Sequence, residues 1–111
     1  MESEIIIVFT TVGSPEEGDR IAAALVEERL AACVNIVGGV KSVYRWKDAL
    51  TRDDEVLLII KSSTPLFAEL RRRIRGLHSY ELPEIVAIPL AAGDEGYLDW
   101  VREAVKQPKK D

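Results

Sequence analysis

The sequence is poor in the residues that form covalent cross-links and tight soft-metal sites. It contains one cysteine, Cys33, and one histidine, His78. A single thiol excludes an internal disulfide bond. Basic residues are not in excess either. The chain has 15 Lys and Arg and 19 Asp and Glu, which gives a net charge of −4. Binding to nucleic acid or to an anionic membrane depends on clustered positive charge, so we expect neither partner.

Long apolar runs are also missing, since no stretch approaches the roughly 18–20 residues that cross a bilayer. The chain begins with acidic residues and then a strand-like run over 4–9, which is unlike a signal or transit peptide. Together with the single cysteine, these features predict a protein of a reducing compartment, the cytoplasm. High charge with one cysteine and one methionine also suits a heat-tolerant protein.

What the sequence does contain is the composition of a globular domain. Its 111 residues are 47% hydrophobic and 31% charged, enough to bury a core. We predict a single domain over residues 1–107 and a short disordered tail over 108–111.

Capping patterns predict where the helices begin. Ser14-Pro15 and Thr64-Pro65 each place a cap residue and a proline at a helix start, and Glu17 supplies the acid of a capping box. Gly93-Asp94 opens a short third helix. Strands rich in β-branched residues are expected at 5–11, 33–44, 56–60 and 85–88. Gly38-Gly39 marks a bulge in the second strand, and residues 46–54 read as a polar turn.

The resulting order is β-α-β-β-α-β followed by a terminal helix. Two strand–helix–strand units with right-handed crossovers give an α+β, ferredoxin-like split βαβ sheet. Both crossover helices then lie on one face of the sheet.

The other face of this sheet predicts self-association. A sheet with one wet face alternates apolar and polar residues, whereas the runs 5–9, 56–60 and 85–88 are apolar throughout. About six large side chains at roughly 1.5–3 kcal/mol each represent on the order of 10 kcal/mol of burial, comparable to the stability of a whole domain. The terminal helix is short, so we expect it to cover only part of this face.

Five segments in the same order resemble the CutA divalent-cation tolerance family. They are residues 30–36 (LAACVNI), 42–46 (SVYRW), 55–61 (EVLLIIK), 78–85 (HSYELPEI) and 97–100 (YLDW). The resemblance implies a homotrimer with sheets packed on one another and a link to copper and other divalent cations. It also implies a cleft lined by Trp46, Lys61, Tyr80 and Glu84. Family members often carry a proline where this chain has Ser79, and a glycine where it has Asp48.

The candidate metal ligands are His78, Cys33 and Glu84. Imidazole, thiolate and carboxylate groups bind copper or another divalent cation, although a dedicated site usually needs three or four ligands and the spacing here matches no motif. The alternatives are a buried, hydrophobic Cys33 and a hydrogen-bonded His78 at a helix end or interface. Trp46 and Tyr80 have packing at subunit contacts as their alternative role.

The function predicted is that of a trimeric divalent-cation tolerance protein. An enzyme is not expected, because one cysteine and one histidine do not assemble a nucleophilic constellation. One alternative, a regulatory trimer similar to the PII proteins that binds a small molecule, needs a long mobile loop and a phosphate cradle. Another, an acylphosphatase-like enzyme, needs its glycine loop between the first strand and the first helix, whereas Gly38-Gly39 lie inside a strand.

Overall fold

The computed structural model of the chain describes residues 4–108. Its strands are β1 (Ile5–Val12), β2 (Cys33–Trp46), β3 (Ala49–Ser63) and β4 (Val86–Pro89). Its helices are α1 (Pro15–Glu27), α2 (Phe67–Leu77) and α3 (Glu95–Ala104), and a 3₁₀ turn (Thr64–Leu66) precedes α2. Except for Pro108, the predicted tail 108–111 lies outside the described residues.

The four strands form one antiparallel sheet in the order β2-β3-β1-β4. β3 lies between β1 and β2, and β1 lies between β3 and β4. Each strand–helix–strand unit is therefore split by a strand of the other unit, which confirms the predicted ferredoxin-like arrangement.

Local capping explains where α1 and α3 begin. Within the described residues, no side chain caps α2 or the 3₁₀ turn before it, so the predicted cap at Thr64 is wrong. The Ser14 hydroxyl accepts a hydrogen bond from the Glu17 N–H at 3.1 Å, and Pro15 occupies the first helical position. Asp94 caps α3 in the same way by accepting from the Tyr97 N–H at 3.1 Å. The first two helices bury their apolar stripes against one face of the sheet, and the solvent-inaccessible side chains of this core include Val8, Leu58 and Ile60 from the strands and Ile21, Leu25, Leu70 and Ile74 from the helices.

The hairpin between β2 and β3 is longer than predicted. Its turn consists of Lys47 and Asp48 alone, and residues 49–54 continue β3 as far as the Trp46↔Ala49 pair, so the predicted polar turn over 46–54 is wrong. Polar residues are tolerated here because most side chains of this ribbon are exposed and no core requires an apolar period. The predicted bulge is confirmed, since the register shifts between Val37 and Val40 and Gly39 has φ = 75°.

The second face of the sheet is only partly covered in a single chain. Residues opposite one another on neighbouring strands share a face. Besides the buried Ile5, this one carries seven large apolar side chains, here called the open face: Ile7, Phe9, Val37, Leu57, Ile59, Val86 and Ile88. α3 contacts β1 and β3, and the pair Ile5 and Ser63 at one end of this face is buried. Ile88 nevertheless remains 49% exposed, so the prediction of partial cover by the terminal helix is confirmed.

Candidate functional site

A groove of about 630 Å³ lies between the β2–β3 hairpin and the loop that follows α2. The loop contributes Tyr80, Glu81, Leu82 and Glu84, β1 contributes Thr11, and the hairpin contributes Ser42, Val43, Tyr44, Trp46, Asp53 and Glu55.

Strand alternation places the hairpin's polar and aromatic side chains together. Tyr44 and Trp46 are two residues apart on β2, and Asp53 lies opposite Ser42 on the same face. The Tyr44 hydroxyl donates to the Asp53 carboxylate, and this bond raises the pKa of Tyr44. The Lys47 ammonium lies 5.6 Å from the centroid of the Trp46 ring. One wall of the groove therefore presents aromatic rings beside a carboxylate.

His78 fixes the position of the opposite wall. Its side chain is fully buried, and Nδ1 accepts a hydrogen bond from the Tyr80 N–H at 3.1 Å. Because Nδ1 accepts, the ring proton is on Nε2, which donates to the Thr11 carbonyl at 2.8 Å. Both nitrogens of this neutral imidazole are engaged within the chain, so His78 holds the loop against β1.

Glu17 ties the same loop to α1. Its carboxylate accepts from the Ser79 N–H at 2.8 Å and from the Ser79 hydroxyl at 3.0 Å. Burial raises the pKa of Glu17, but the hydrogen bonds from the Ser79 N–H and hydroxyl outweigh burial and hold it below its usual value. A proline at position 79 would offer neither donor. The departure from the family pattern at Ser79 therefore has a structural role, and Glu17 contacts the loop instead of acting only at the helix start.

Tyr80 connects the two walls. Its hydroxyl donates to the Glu55 Oε2 at 2.7 Å, and Glu55 is itself buried. Burial and this hydrogen bond raise the pKa of Tyr80 well above its usual value. The phenol is therefore protonated at neutral pH and donates to the Glu55 side chain.

The structure brings together three of the four residues predicted for the cleft. Trp46, Tyr80 and Glu84 line the groove. Lys61 instead lies opposite Cys33, with its Nζ 3.9 Å from the Cys33 Sγ and bonded to the Asn35 side chain. Its role in a cleft stays a prediction.

The three predicted metal ligands do not form one cluster within the chain. Among residues 4–108, no group of three or more His, Cys, Asp or Glu side chains is placed to hold a metal ion. His78 is buried with both nitrogens engaged, and Glu84 lines the groove. Cys33 is half-buried within the single chain, and its alternative role as a buried, hydrophobic residue stays a prediction. A metal role for these residues stays a prediction.

The groove is nevertheless strongly acidic. Four carboxylates line it, and no lysine or arginine is among the residues that do so: Asp53, Glu55, Glu81 and Glu84. Asp53, Glu55 and Glu81 were not predicted as site residues from the sequence. The available signal was the spacing of Asp53 and Glu55, which places both on one face if the strand is extended through them.

The sequence is similar to those of known proteins. The model of the family described as CutA1 divalent ion tolerance protein matches residues 6–104. A Thermus thermophilus relative named "Divalent-cation tolerance protein CutA" is 54% identical over 97 residues, covering 87% of this chain and 94% of the relative. An Arabidopsis thaliana relative named "Protein CutA, chloroplastic" is 41% identical over 101 residues, covering 91% of this chain and 56% of that longer relative.

Solved structures of similar proteins have the same fold as this chain. One described as a divalent cation tolerance protein from Thermus thermophilus has a TM-score of 0.90 and 51% identity, covering 92% of this chain and 99% of that one. Within residues 4–108, no helix is long and apolar enough to cross a bilayer.

Proposed function

This chain belongs to the CutA1 divalent ion tolerance protein family, and we propose on that premise that it acts in divalent-cation tolerance as a cytoplasmic homotrimer that binds cations without catalysing a reaction. The observation that carries the cation part of the proposal is the groove, which is lined by four carboxylates and by no lysine or arginine, although the Lys47 ammonium lies 5.6 Å from the centroid of the Trp46 ring.

The ligand chemistry of the groove limits the kind of binding. Asp53 and Glu55 each accept a tyrosine hydroxyl, while Glu81 and Glu84 are exposed to solvent. Because the described carboxylates do not converge in threes, the bound cation keeps several of its own waters. Oxygen ligands alone suit hard divalent cations better than copper, which prefers nitrogen and sulfur. We therefore propose weak, hydrated binding of divalent cations, with hard cations such as Mg²⁺ favoured over copper, centred on Glu81 and Glu84.

The trimer is supported by the open face. Apolar side chains such as Val86 and Ile88 lie about half exposed beside Ile7 and Phe9, and packing against a second copy would remove them from water. A non-enzymatic role is supported by the separation of the thiol from the imidazole. Cys33 lies beside Lys61, whereas the ring of His78 is bonded to Thr11 and Tyr80.

Calorimetric titration of Mg²⁺, Zn²⁺ and Cu²⁺ tests the proposed site. Glu81→Gln combined with Glu84→Gln should weaken binding about tenfold, because two charges facing the cation are removed. A site that depends on His78 would instead lose its affinity in His78→Ala and keep it in the groove variant.

The matched control is Glu27→Gln combined with Glu103→Gln, which makes the same charge change at exposed positions outside the groove. Equal affinities for the groove variant, the control and the wild type would refute carboxylate binding in the groove.

A further inference from the structure

The walls of the groove contain features that a hydrated metal ion does not use. The rings of Tyr44, Trp46 and Tyr80 line it together with Val43 and Leu82. Leu82 is 65% exposed, so a large apolar side chain borders the groove without being buried by the fold. Such surface is stabilised by contact with a ligand that has an apolar body.

The chain also places a cation on one of these rings. The Lys47 ammonium lies 5.6 Å from the Trp46 centroid, within the range in which a ring face attracts a positive charge. An ammonium group of a bound ligand would take the place of Lys47 at this ring.

The negative charges are divided between the two walls. Asp53 and Glu55 belong to the hairpin, while Glu81 and Glu84 belong to the loop. This division explains why no three of the described acids converge on a single point charge. It matches a ligand whose positive charges are separated by an apolar stem, with one charge for each wall.

We propose that the groove binds aliphatic polyamines, in which ammonium groups are joined by methylene segments. The carboxylates of the two walls bind the ammonium groups, and the rings of Trp46 and Tyr44 with the Leu82 side chain contact the methylene stem. The proposal rests on the groove assigned above to cation binding and specifies the ligand as an organic cation.

Titration of spermidine into the full chain, with butylamine as a single-charge probe, tests this assignment. We expect spermidine to bind at least tenfold more tightly than butylamine, since only spermidine reaches both walls. Trp46→Leu should weaken spermidine binding roughly threefold to thirtyfold by removing the ring face. The matched control is Trp100→Leu, which removes a 47% exposed indole from α3, outside the groove.

The outcomes separate the two proposals. Mg²⁺ binding without spermidine binding would overturn the polyamine site and leave the proposed divalent-cation site standing. Spermidine binding without divalent-cation binding would overturn the proposed divalent-cation site and leave the polyamine site standing. Equal spermidine affinity for Trp46→Leu, Trp100→Leu and the wild type would mean association with surface charge alone, and would also overturn the polyamine site. Circular dichroism of each variant establishes that it is folded.

Discussion

At the scale of single residues, the loop that forms one wall of the groove is held by buried polar contacts. Glu17 on α1 accepts two bonds from Ser79, and His78 is bonded on one side to the Tyr80 N–H and on the other to Thr11. These bonds fix the direction in which Tyr80 enters the groove. The position of the loop therefore depends on one ionised carboxylate.

Glu17→Gln should lower the free energy of unfolding by about 1–3 kcal/mol at pH 7, because a charge-assisted pair of hydrogen bonds becomes a neutral one. The pKa of Glu17 is held below its usual value of 4.5, so its ionised form contributes stability above that pH. The contribution declines as the pH falls below 4.5 and is lost once the pH passes through the lower, folded pKa.

Urea denaturation of the wild type and of Glu17→Gln at pH 7 and pH 3 measures this difference, which should be smaller at pH 3 than at pH 7. Glu27→Gln, an exposed position at the end of the same helix, serves as control and should change little. A difference that does not depend on pH would contradict the assigned role of the Glu17 charge.

At the scale of elements, the β2–β3 hairpin depends on an unfavourable turn. Lys47 has φ = 50° and Asp48 has φ = 64°, the positive values that a two-residue type I′ turn requires. Residues other than glycine, asparagine and aspartate are strained at positive φ, and β-branched residues are strained most of all. The substitution of aspartate for the family's frequent glycine is therefore tolerated because aspartate accepts this backbone.

Asp48→Val should be less stable than Asp48→Gly by about 1–2 kcal/mol, because valine is strained at positive φ and glycine is not. Thermal unfolding of the two variants provides the comparison. Leu50→Val is the control, because it places a valine in a strand of the same exposed hairpin. Since valine has a high strand propensity, this substitution should change the melting temperature little. Equal melting temperatures for Asp48→Val and Asp48→Gly would rule out a strained turn.

The elements also show what the sequence can predict. The runs in β1 and β3 are specified by the core beneath them, and the capped starts of α1 and α3 by local hydrogen bonding, so both kinds of feature are visible in the sequence. The outer half of the hairpin has no core, and its polar residues resemble a turn. The groove was predicted only through Trp46, Tyr80 and Glu84, because its walls are brought together by the contact of Tyr80 with Glu55, which are 25 residues apart.

At the scale of the whole molecule, the open face predicts the assembly state. Light scattering in dilute buffer should give about three times the 12.4 kDa chain mass. Ile88→Glu should shift the mass towards one chain, because a charge on the open face cannot be desolvated in a contact between copies.

The matched control is Val26→Glu, which places the same charge at a 42% exposed position on α1, outside the open face, and should leave the mass unchanged. A wild type of single-chain mass would refute self-association, and a clean dimer would refute the trimer.

The position of β1 in the middle of the sheet also affects how the chain folds as it is synthesised. β1 leaves the ribosome first, yet Val8 pairs with Ile60 on one side and with Ala87 on the other. The β2–β3 hairpin, closed by a two-residue turn, can form as soon as residue 63 has emerged. The first strand, in contrast, has both edges unpaired until distant parts of the chain arrive. Its run of isoleucine and valine is thus the segment that most needs protection from other nascent chains during translation.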